Sequence, residues 1–250
     1  MRRLFGFLSL ATPIFSALLC ALLIAPFAHA QASPTNECQT QLSWECFNTS
    51  VAIVGRANDG SVVNFCSGVA IDSQTVLTAG HCIESLSRTG AEVQIYRRSV
   101  VDFSSKPDAV ADAYSLHLDR LYNRERSYFH RDRGMIKLKT ELRSQDQESL
   151  NYPKVRRGLG PQIETADRLH RVGFGRRVSA SGISENRRTW VTAQVHSVYP
   201  ETLVTEDRFA MPGDSGGPVF LYLPGDGLYL IGLHSTFDKA SGFVYSPRIL

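Results

Sequence analysis

The sequence lacks a long basic tract, and its charges nearly cancel. It contains 27 Lys and Arg residues against 24 Asp and Glu residues, which gives a net charge of +3. Proteins whose main partner is nucleic acid carry clustered basic residues that compensate the charge of the phosphate backbone. The absence of such a tract therefore argues against nucleic acid as the main partner.

Long amphipathic helical patterns are also missing, and no motif recurs at a fixed interval. Short runs rich in Val, Ile, Tyr and Phe alternate instead with Gly, Asn, Asp and Ser, which is the pattern of strands joined by turns. Examples are VAIVG at 51–55, TVLTAG at 75–80 and LYLIGLHS at 228–235. The sequence therefore predicts an all-β domain, built as a barrel or a sandwich.

Two polar segments lack this strand pattern. Residues 141–167 and 176–188 contain clustered Gly, Ser and charged side chains without apolar periodicity. Such segments are typical of connections that run over the surface. Both are predicted to be surface loops.

The first thirty residues differ in character from the rest of the chain. Two arginines precede a largely apolar run, and Ala28-His29-Ala30 has the small residues of a signal-peptidase site. We predict a signal peptide at 1–30, an N-terminal lead-in or propeptide at 31–50 and the main domain at 51–250. The alternative is a retained membrane anchor, because the apolar run is long enough to span a bilayer. Cleavage predicts a secreted protein, extracellular or periplasmic, without membrane contact.

Cysteine is scarce, with 5 residues in the chain, and Cys20 falls inside the predicted signal peptide. The remaining four are an even number in an exported chain, which is typical of two disulfides. Four cysteines can pair in three ways. The spacing suggests Cys66 with Cys82 and Cys38 with Cys46.

One short segment, Gly213-Asp214-Ser215-Gly216-Gly217-Pro218, isolates a hydroxyl beside a carboxylate. A serine hydroxyl becomes a good nucleophile only when a base accepts its proton and a third group orients that base. His81 stands where a strand ends at small residues, and Asp132 comes just before an apolar run. These two residues are the candidate base and its orienting carboxylate, in the chain order His, Asp, Ser.

The three segments resemble the signatures of the chymotrypsin/trypsin-like serine peptidases. LTAGHC at 77–82, DRGMIKL at 132–138 and GDSGGP at 213–218 occur in that family's order, and VGFG at 172–175 is similar to one of its mid-chain strands. The resemblance covers about residues 50–247.

This resemblance implies an all-β fold of two six-stranded antiparallel β-barrels with the catalytic cleft between them. His81, Asp132 and Ser215 would form the catalytic triad, and the N–H groups of Gly213 and Ser215 would form the oxyanion hole. It implies a serine endopeptidase that acts through an acyl-enzyme as a monomer on protein or peptide substrates. Neither an organic cofactor nor a metal is expected.

Departures from the family pattern fall on the residues expected to bind substrate. Phe209 stands where trypsin-like members carry an aspartate at the base of the primary pocket. Asp207, two residues away, is the alternative selector for a basic residue, but it is not the one we favour. The segment around His234 is similar to one in the bacterial glutamyl endopeptidases, where a histidine helps to bind an acidic side chain. Phe237 would narrow the pocket entrance, and Ser235 would lie near the orienting carboxylate. His234 is equally consistent with a core histidine.

In the family, activation follows a trypsin-like cut after Lys or Arg before the first barrel. That route is not available here. Ile53-Val54-Gly55 resembles a freed N-terminus but stands too close to Cys66, and no Lys or Arg lies between Arg3 and Arg56. In the family, Asp214 binds the new α-amino group. Either another cut supplies a terminus, or Asp214 has a different partner.

The alternative function is not enzymatic. The chain could be a catalytically inactive homologue that serves as a binding module, which Phe209 and Phe237 favour. The presence of all three triad residues argues against it.

Overall fold

The computed structural model describes residues 36–37, 47–111, 115–125, 131–142, 150, 152–155, 162–165, 167–178, 182, 184–223 and 226–249 of the chain. They belong to one unit, Ala32–Leu250. The predicted signal peptide and the predicted Cys38–Cys46 disulfide lie outside the described residues. Within them, no helix has the length and apolarity to cross a bilayer.

Strands dominate the described part of the chain. The first half contains β1 (Asn36–Glu37), β2 (Ser50–Arg56), β3 (Val62–Asp72), β4 (Thr75–Thr78), α1 (Gly80–Thr89), β5 (Glu92–Tyr96), β6 (Ala109–Ala111), β7 (Leu116–Leu118) and β8 (Gly134–Lys137). The second half contains β9 (Arg168–Gly173), β10 (Arg176–Val178), β11 (Ser184–Asn186), β12 (Thr189–Val198), β13 (Thr202–Glu206), β14 (Pro218–Leu223), β15 (Gly227–Leu233), β16 (Thr236–Asp238) and β17 (Phe243–Pro247).

Two antiparallel sheets carry most of these strands. The first barrel is the sheet β6-β5-β2-β3-β4-β8-β7, and the second barrel is the sheet β15-β14-β9-β12-β13-β17-β16, onto which β1 pairs through β12. The predicted all-β architecture with two barrels is confirmed. Each sheet has seven main strands among the described residues rather than six, because short strands such as β7 and β16 extend the edges.

Each barrel has its own apolar core, and a third cluster joins them. Strands such as β12 alternate buried and more exposed side chains, as a sheet with one covered face requires. The joining cluster contains Val69 from the first barrel and Val172 and Phe220 from the second. Phe47 belongs to this cluster, with its ring stacked 5.2 Å from that of Phe220. This shared apolar surface fixes the barrels side by side.

The helix α1 was not expected from the sequence. It begins at Gly80 and buries the apolar side chains Cys82, Ile83 and Leu86, while most of its other side chains are at least partly exposed. Three apolar residues in ten are too few to show a helical period. The predicted disulfide between Cys66 and Cys82 is confirmed, and it joins β3 to the first turn of this helix rather than to a strand.

The segment 176–188 is not a loop throughout, as the sequence predicted. Strands β10 and β11 pair in a hairpin, with Arg176 opposite Asn186 and Val178 opposite Ser184. The prediction was wrong because these three-residue strands bury no apolar face, so they show no alternation of apolar and polar residues. Most of the other predicted loop, 141–167, lies outside the described residues.

Candidate active site

His81 and Asp132 meet where β4 and β8 pair. His81 follows β4 in the first turn of α1, and Asp132 precedes β8. The Nδ1 atom of His81 lies 2.7 Å from Oδ2 of Asp132, and the backbone N–H of His81 donates to Oδ1 at 2.7 Å. A carboxylate only accepts, so Nδ1 carries the proton and Nε2 is left as the basic nitrogen. This pair has the geometry of an oriented general base.

Ser235 adds a third donor to the same carboxylate. Its buried hydroxyl donates to Oδ2 of Asp132, and its backbone N–H donates to the Tyr245 carbonyl at 3.2 Å. The Asp132 side chain is fully buried. Hydrogen bonds from three donors offset the cost of burying this charge. The position predicted for Ser235 from the family resemblance agrees with this contact.

Two arginines flank Asp132 and reach the second barrel. Arg131, whose φ is 51°, donates through Nε to Glu201 at 2.9 Å. Arg133 donates to Asp119 at 3.0 Å and to the Arg248 carbonyl at 2.9 Å. The segment that carries Asp132 is therefore held by groups from both barrels.

Ser215 lies in the connection between β13 and β14, residues 207–217, which we call the Ser215 loop. The N–H of Ser67 donates to the Ser215 carbonyl at 2.7 Å, and the Cys82 sulfur lies 3.8 Å from the same oxygen. Cys82 follows the predicted base directly, so these contacts bring the Ser215 backbone beside that turn of α1. Gly216 makes the approach possible: a Cβ there would lie 2.0 Å from the Thr78 hydroxyl oxygen.

Sequence reasoning missed Ser67, which holds the loop from the first barrel. Its buried hydroxyl donates to the Gly213 carbonyl at 2.7 Å and accepts the Phe174 N–H at 2.9 Å. Gly213 has a φ of 99°, which favours glycine. Among the described residues, none accepts a hydrogen bond from the N–H of Gly213 or Ser215. Both N–H groups therefore stay candidates for an oxyanion hole.

Asp214 has a different partner from the one the family would supply. Its buried carboxylate accepts the N–H of Gly175 at 2.7 Å and that of Met211 at 2.9 Å, and it pairs with both terminal nitrogens of Arg177. A Cβ on Gly173 or Gly175 would lie 2.2 or 2.7 Å from its Oδ1. The glycines of the VGFG motif leave the space that this carboxylate fills.

A second buried ion pair lies behind the loop. Arg171 donates to Asp207 at 2.5 Å and to Nδ1 of His234, while the N–H of Phe209 donates to Asp207 at 2.7 Å. Burial, and next the charge of Arg171, hold the pKa of His234 well below its usual value. Since arginine only donates, the neutral ring of His234 carries its proton on Nε2. Asp207 is neutralised by Arg171 and offers no free charge to a basic substrate side chain.

The residues predicted to bind substrate fall into two groups. The backbone N–H of His234 donates to the Gly217 carbonyl at 2.7 Å, and the His234 carbonyl accepts the Gly216 N–H at 2.6 Å. These two bonds tie His234 to the Ser215 loop. Phe209 lies within that loop, and Phe237 lies on β16, both half-buried. The structure therefore brings His234 next to the candidate nucleophile along the backbone.

One cluster of potential metal ligands has another explanation. Cys66, His81 and Cys82 place ligand atoms within 4.8 Å of one another. Both sulfurs are joined in the disulfide, and metals bind the thiolate form of cysteine. This cluster therefore carries no metal site.

Known proteins resemble this chain in sequence and in fold. Residues 43–246 match the family model described as Trypsin. The CLIP domain-containing serine protease B4 of Anopheles gambiae is 25% identical over 209 residues, which are 74% of this chain and 58% of that protein. The solved structure of HL collagenase has a TM-score of 0.62 at 20% identity, covering 86% of this chain and 92% of its own, a likeness that concerns the fold.

Proposed function

The chain belongs to the trypsin family of serine proteases, and on that premise we propose that it is an exported serine endopeptidase. The observation that carries the proposal is the hydrogen-bonded pair of His81 and Asp132 beside the Ser215 loop. Export is supported by the signal-like residues 1–30 and by the disulfide. Proteins and peptides are the substrates that the family supports.

In this proposal the three residues act in sequence. Nε2 of His81 takes the hydroxyl proton as Ser215 attacks the peptide carbonyl, and the imidazolium that forms is stabilised by Asp132. The N–H groups of Gly213 and Ser215 stabilise the oxyanion. His81 then gives its proton to the leaving amine, which leaves an acyl-enzyme. A water molecule, activated by the same histidine, hydrolyses that ester and restores Ser215.

Specificity is proposed to depend on His234. Its neutral ring offers an Nε2–H donor, and its backbone is tied to the two glycines that follow the nucleophile. Such a donor suits a side chain that accepts hydrogen bonds, and it binds a carboxylate more strongly than an amide because charge assists the bond. Ser235 positions Asp132, while Phe209 and Phe237 are proposed to limit the size of the side chain accepted.

We expect a peptide panel, varied only at the residue before the scissile bond, to be cleaved best with glutamate there. Glutamine should follow, and lysine and arginine should rank low because Asp207 is already paired. The measurement is kcat/KM for each peptide, with a His234→Phe variant as control for the role of the ring. Acidic residues ranking last would rule out this specificity.

The proposed function is tested by labelling the mature protein with a fluorophosphonate probe. Wild type and a Ser104→Ala variant, changed at an exposed turn, should label, whereas Ser215→Ala should show no labelling above background. The reason is that the probe reacts only with a serine that is activated by a base and faces an oxyanion site. Folded wild-type protein that stays unlabelled, also after limited proteolysis, would instead favour the inactive binding module.

A further inference from the structure

We propose that Arg177 holds the Ser215 loop in its catalytic shape, so that the chain is active without a newly cut N-terminus. The inference rests on the proposed function and deepens it, because it names the positioning residue for the oxyanion donors. The starting point is Asp214, which lies between the two residues whose N–H groups would bind the oxyanion. Its side chain is 4% exposed. A buried carboxylate without a cation is costly, so the loop can keep this shape only with a partner.

Arg177 is that partner, and its contact is two-pronged. One terminal nitrogen lies 2.8 Å from Oδ2 of Asp214, and the other lies 3.2 Å from Oδ1. A guanidinium matches a carboxylate in this way, whereas a lysine ammonium does not. The same arginine donates to the carbonyls of Gly175 at 2.9 Å and Phe209 at 3.3 Å. It therefore links Phe209 and Asp214 of the loop to Gly175, which lies just after β9.

The carboxylate has no capacity left for another cation. An ionised aspartate offers about four acceptor positions, two on each oxygen. Oδ1 accepts from Gly175 and Arg177, and Oδ2 accepts from Met211 and Arg177. The space around it is also filled, since a Cβ on Gly173 would lie 2.2 Å from Oδ1. An α-amino group arriving from elsewhere would have to displace bonds that are already made.

Arg177 is itself held in place by the hairpin of β10 and β11. It lies opposite Glu185, and the next residue, Asn186, donates through its side chain to the Phe174 carbonyl at 3.0 Å. The Asn186 carbonyl accepts the N–H of Val101 at 2.9 Å, which ties the hairpin to the first barrel. The guanidinium is therefore positioned by the folded chain before any cut is made.

The consequence for the mechanism concerns the peptide planes on both sides of Asp214. The Asp214 N–H donates to the Met211 carbonyl at 3.0 Å, and its carbonyl accepts the Gly217 N–H at 2.9 Å. With its side chain fixed by Arg177, the peptide planes on both sides of Asp214 have fixed directions. The Ser215 N–H belongs to the second of these planes and keeps its direction with it, while the first plane contains the Gly213 carbonyl that Ser67 holds. Loss of one oxyanion donor typically costs about 10²–10³ in kcat, which sets the size of the expected effect.

The experiment compares Arg177→Ala, Arg177→Lys and Arg176→Ala in the full mature chain. Arg176 is the matched control, because it is the exposed neighbour on the same strand and its side chain bonds to the Ser184 hydroxyl within the hairpin rather than to Asp214. Arg177→Ala should lower kcat about 10²–10³-fold, and millimolar guanidinium should restore part of the loss. The kcat of Arg177→Lys should lie between those of wild type and Arg177→Ala, and the kcat of Arg176→Ala should match that of wild type. Wild type should need no proteolytic step to reach full activity.

Hydrogen exchange of residues 207–217 gives a readout that does not depend on activity. Exchange should rise in Arg177→Ala and not in Arg176→Ala. The inference is overturned if exchange of this segment is the same in both variants, if Arg177→Ala retains wild-type kcat, or if wild type becomes active only after a cut within residues 31–50. If Arg177→Ala does not fold, Arg177→Lys with the same readouts decides. If exchange depends on Arg177 but the fluorophosphonate probe does not label wild type, only the proposed function is overturned.

Discussion

On the proposed function, replacing Asp132 with asparagine should lower kcat for peptide hydrolysis about 10⁴-fold, the loss typical of this change in a Ser-His-Asp triad. Asp132 accepts from the ring Nδ1–H of His81, from its backbone N–H and from the hydroxyl of Ser235. An asparagine presents an amide NH₂ to one of these donors. The ring then adopts the tautomer with its proton on Nε2, which cannot accept the proton of Ser215.

The prediction is checked by kcat and KM on the same peptide substrate. KM should change little, because Asp132 is buried away from the substrate. Asp119→Asn is the matched control, since that carboxylate pairs with Arg133 beside Asp132 and an asparagine oxygen can still accept from the arginine. It should stay within a few-fold of wild type. A folded Asp132→Asn enzyme that loses less than tenfold in kcat would show that His81 is oriented by something else.

Replacing Arg171 with methionine should lower the free energy of unfolding by about 3–5 kcal/mol. The side chains of Arg171 and Asp207 are 2% and 4% exposed, so removal of the arginine leaves a carboxylate buried without a cation. His234 also loses the donor to its Nδ1. Both effects act on the folded state.

Urea denaturation of three variants isolates this effect. Arg168→Met, an exposed arginine on the same strand, should change the free energy of unfolding by less than about 0.5 kcal/mol. The double variant Arg171→Met with Asp207→Leu should recover most of the loss, because apolar groups of similar volume replace a buried ion pair at little cost. Equal losses for Arg171→Met and Arg168→Met would mean that the buried pair contributes nothing.

The sequence predicted the candidate site residues whose immediate neighbours form a distinctive pattern. His81 follows a strand that ends at small residues, Asp132 precedes an apolar run, and Ser215 is surrounded by glycines. The structure gives reasons for two of these glycines, since Gly213 has a positive φ and Gly216 lies against the first barrel. Local steric requirements of this kind leave a visible trace in a single sequence.

The groups that support the site leave no such trace. Arg177 pairs with a carboxylate 37 positions away, and Arg171 with one 36 positions away. In the sequence, Arg177 lies in a polar stretch that is indistinguishable from a solvated loop. Only the folding of the second barrel reveals that both arginines compensate buried aspartates. The partner of Asp214 was therefore open until the structure placed Arg177 against it.

The contacts of Ser67 have a consequence for how the protein is made. Ser67 belongs to the first barrel, yet it holds the carbonyls of Gly213 and Ser215, which are synthesised almost 150 residues later. Domains fold broadly in the order in which they leave the ribosome or the export channel. The first barrel can therefore form with its His81 and Asp132 while no nucleophile is present. On the proposed function, a chain that is still emerging cannot cleave peptides, because Ser215 has not yet been placed against Ser67.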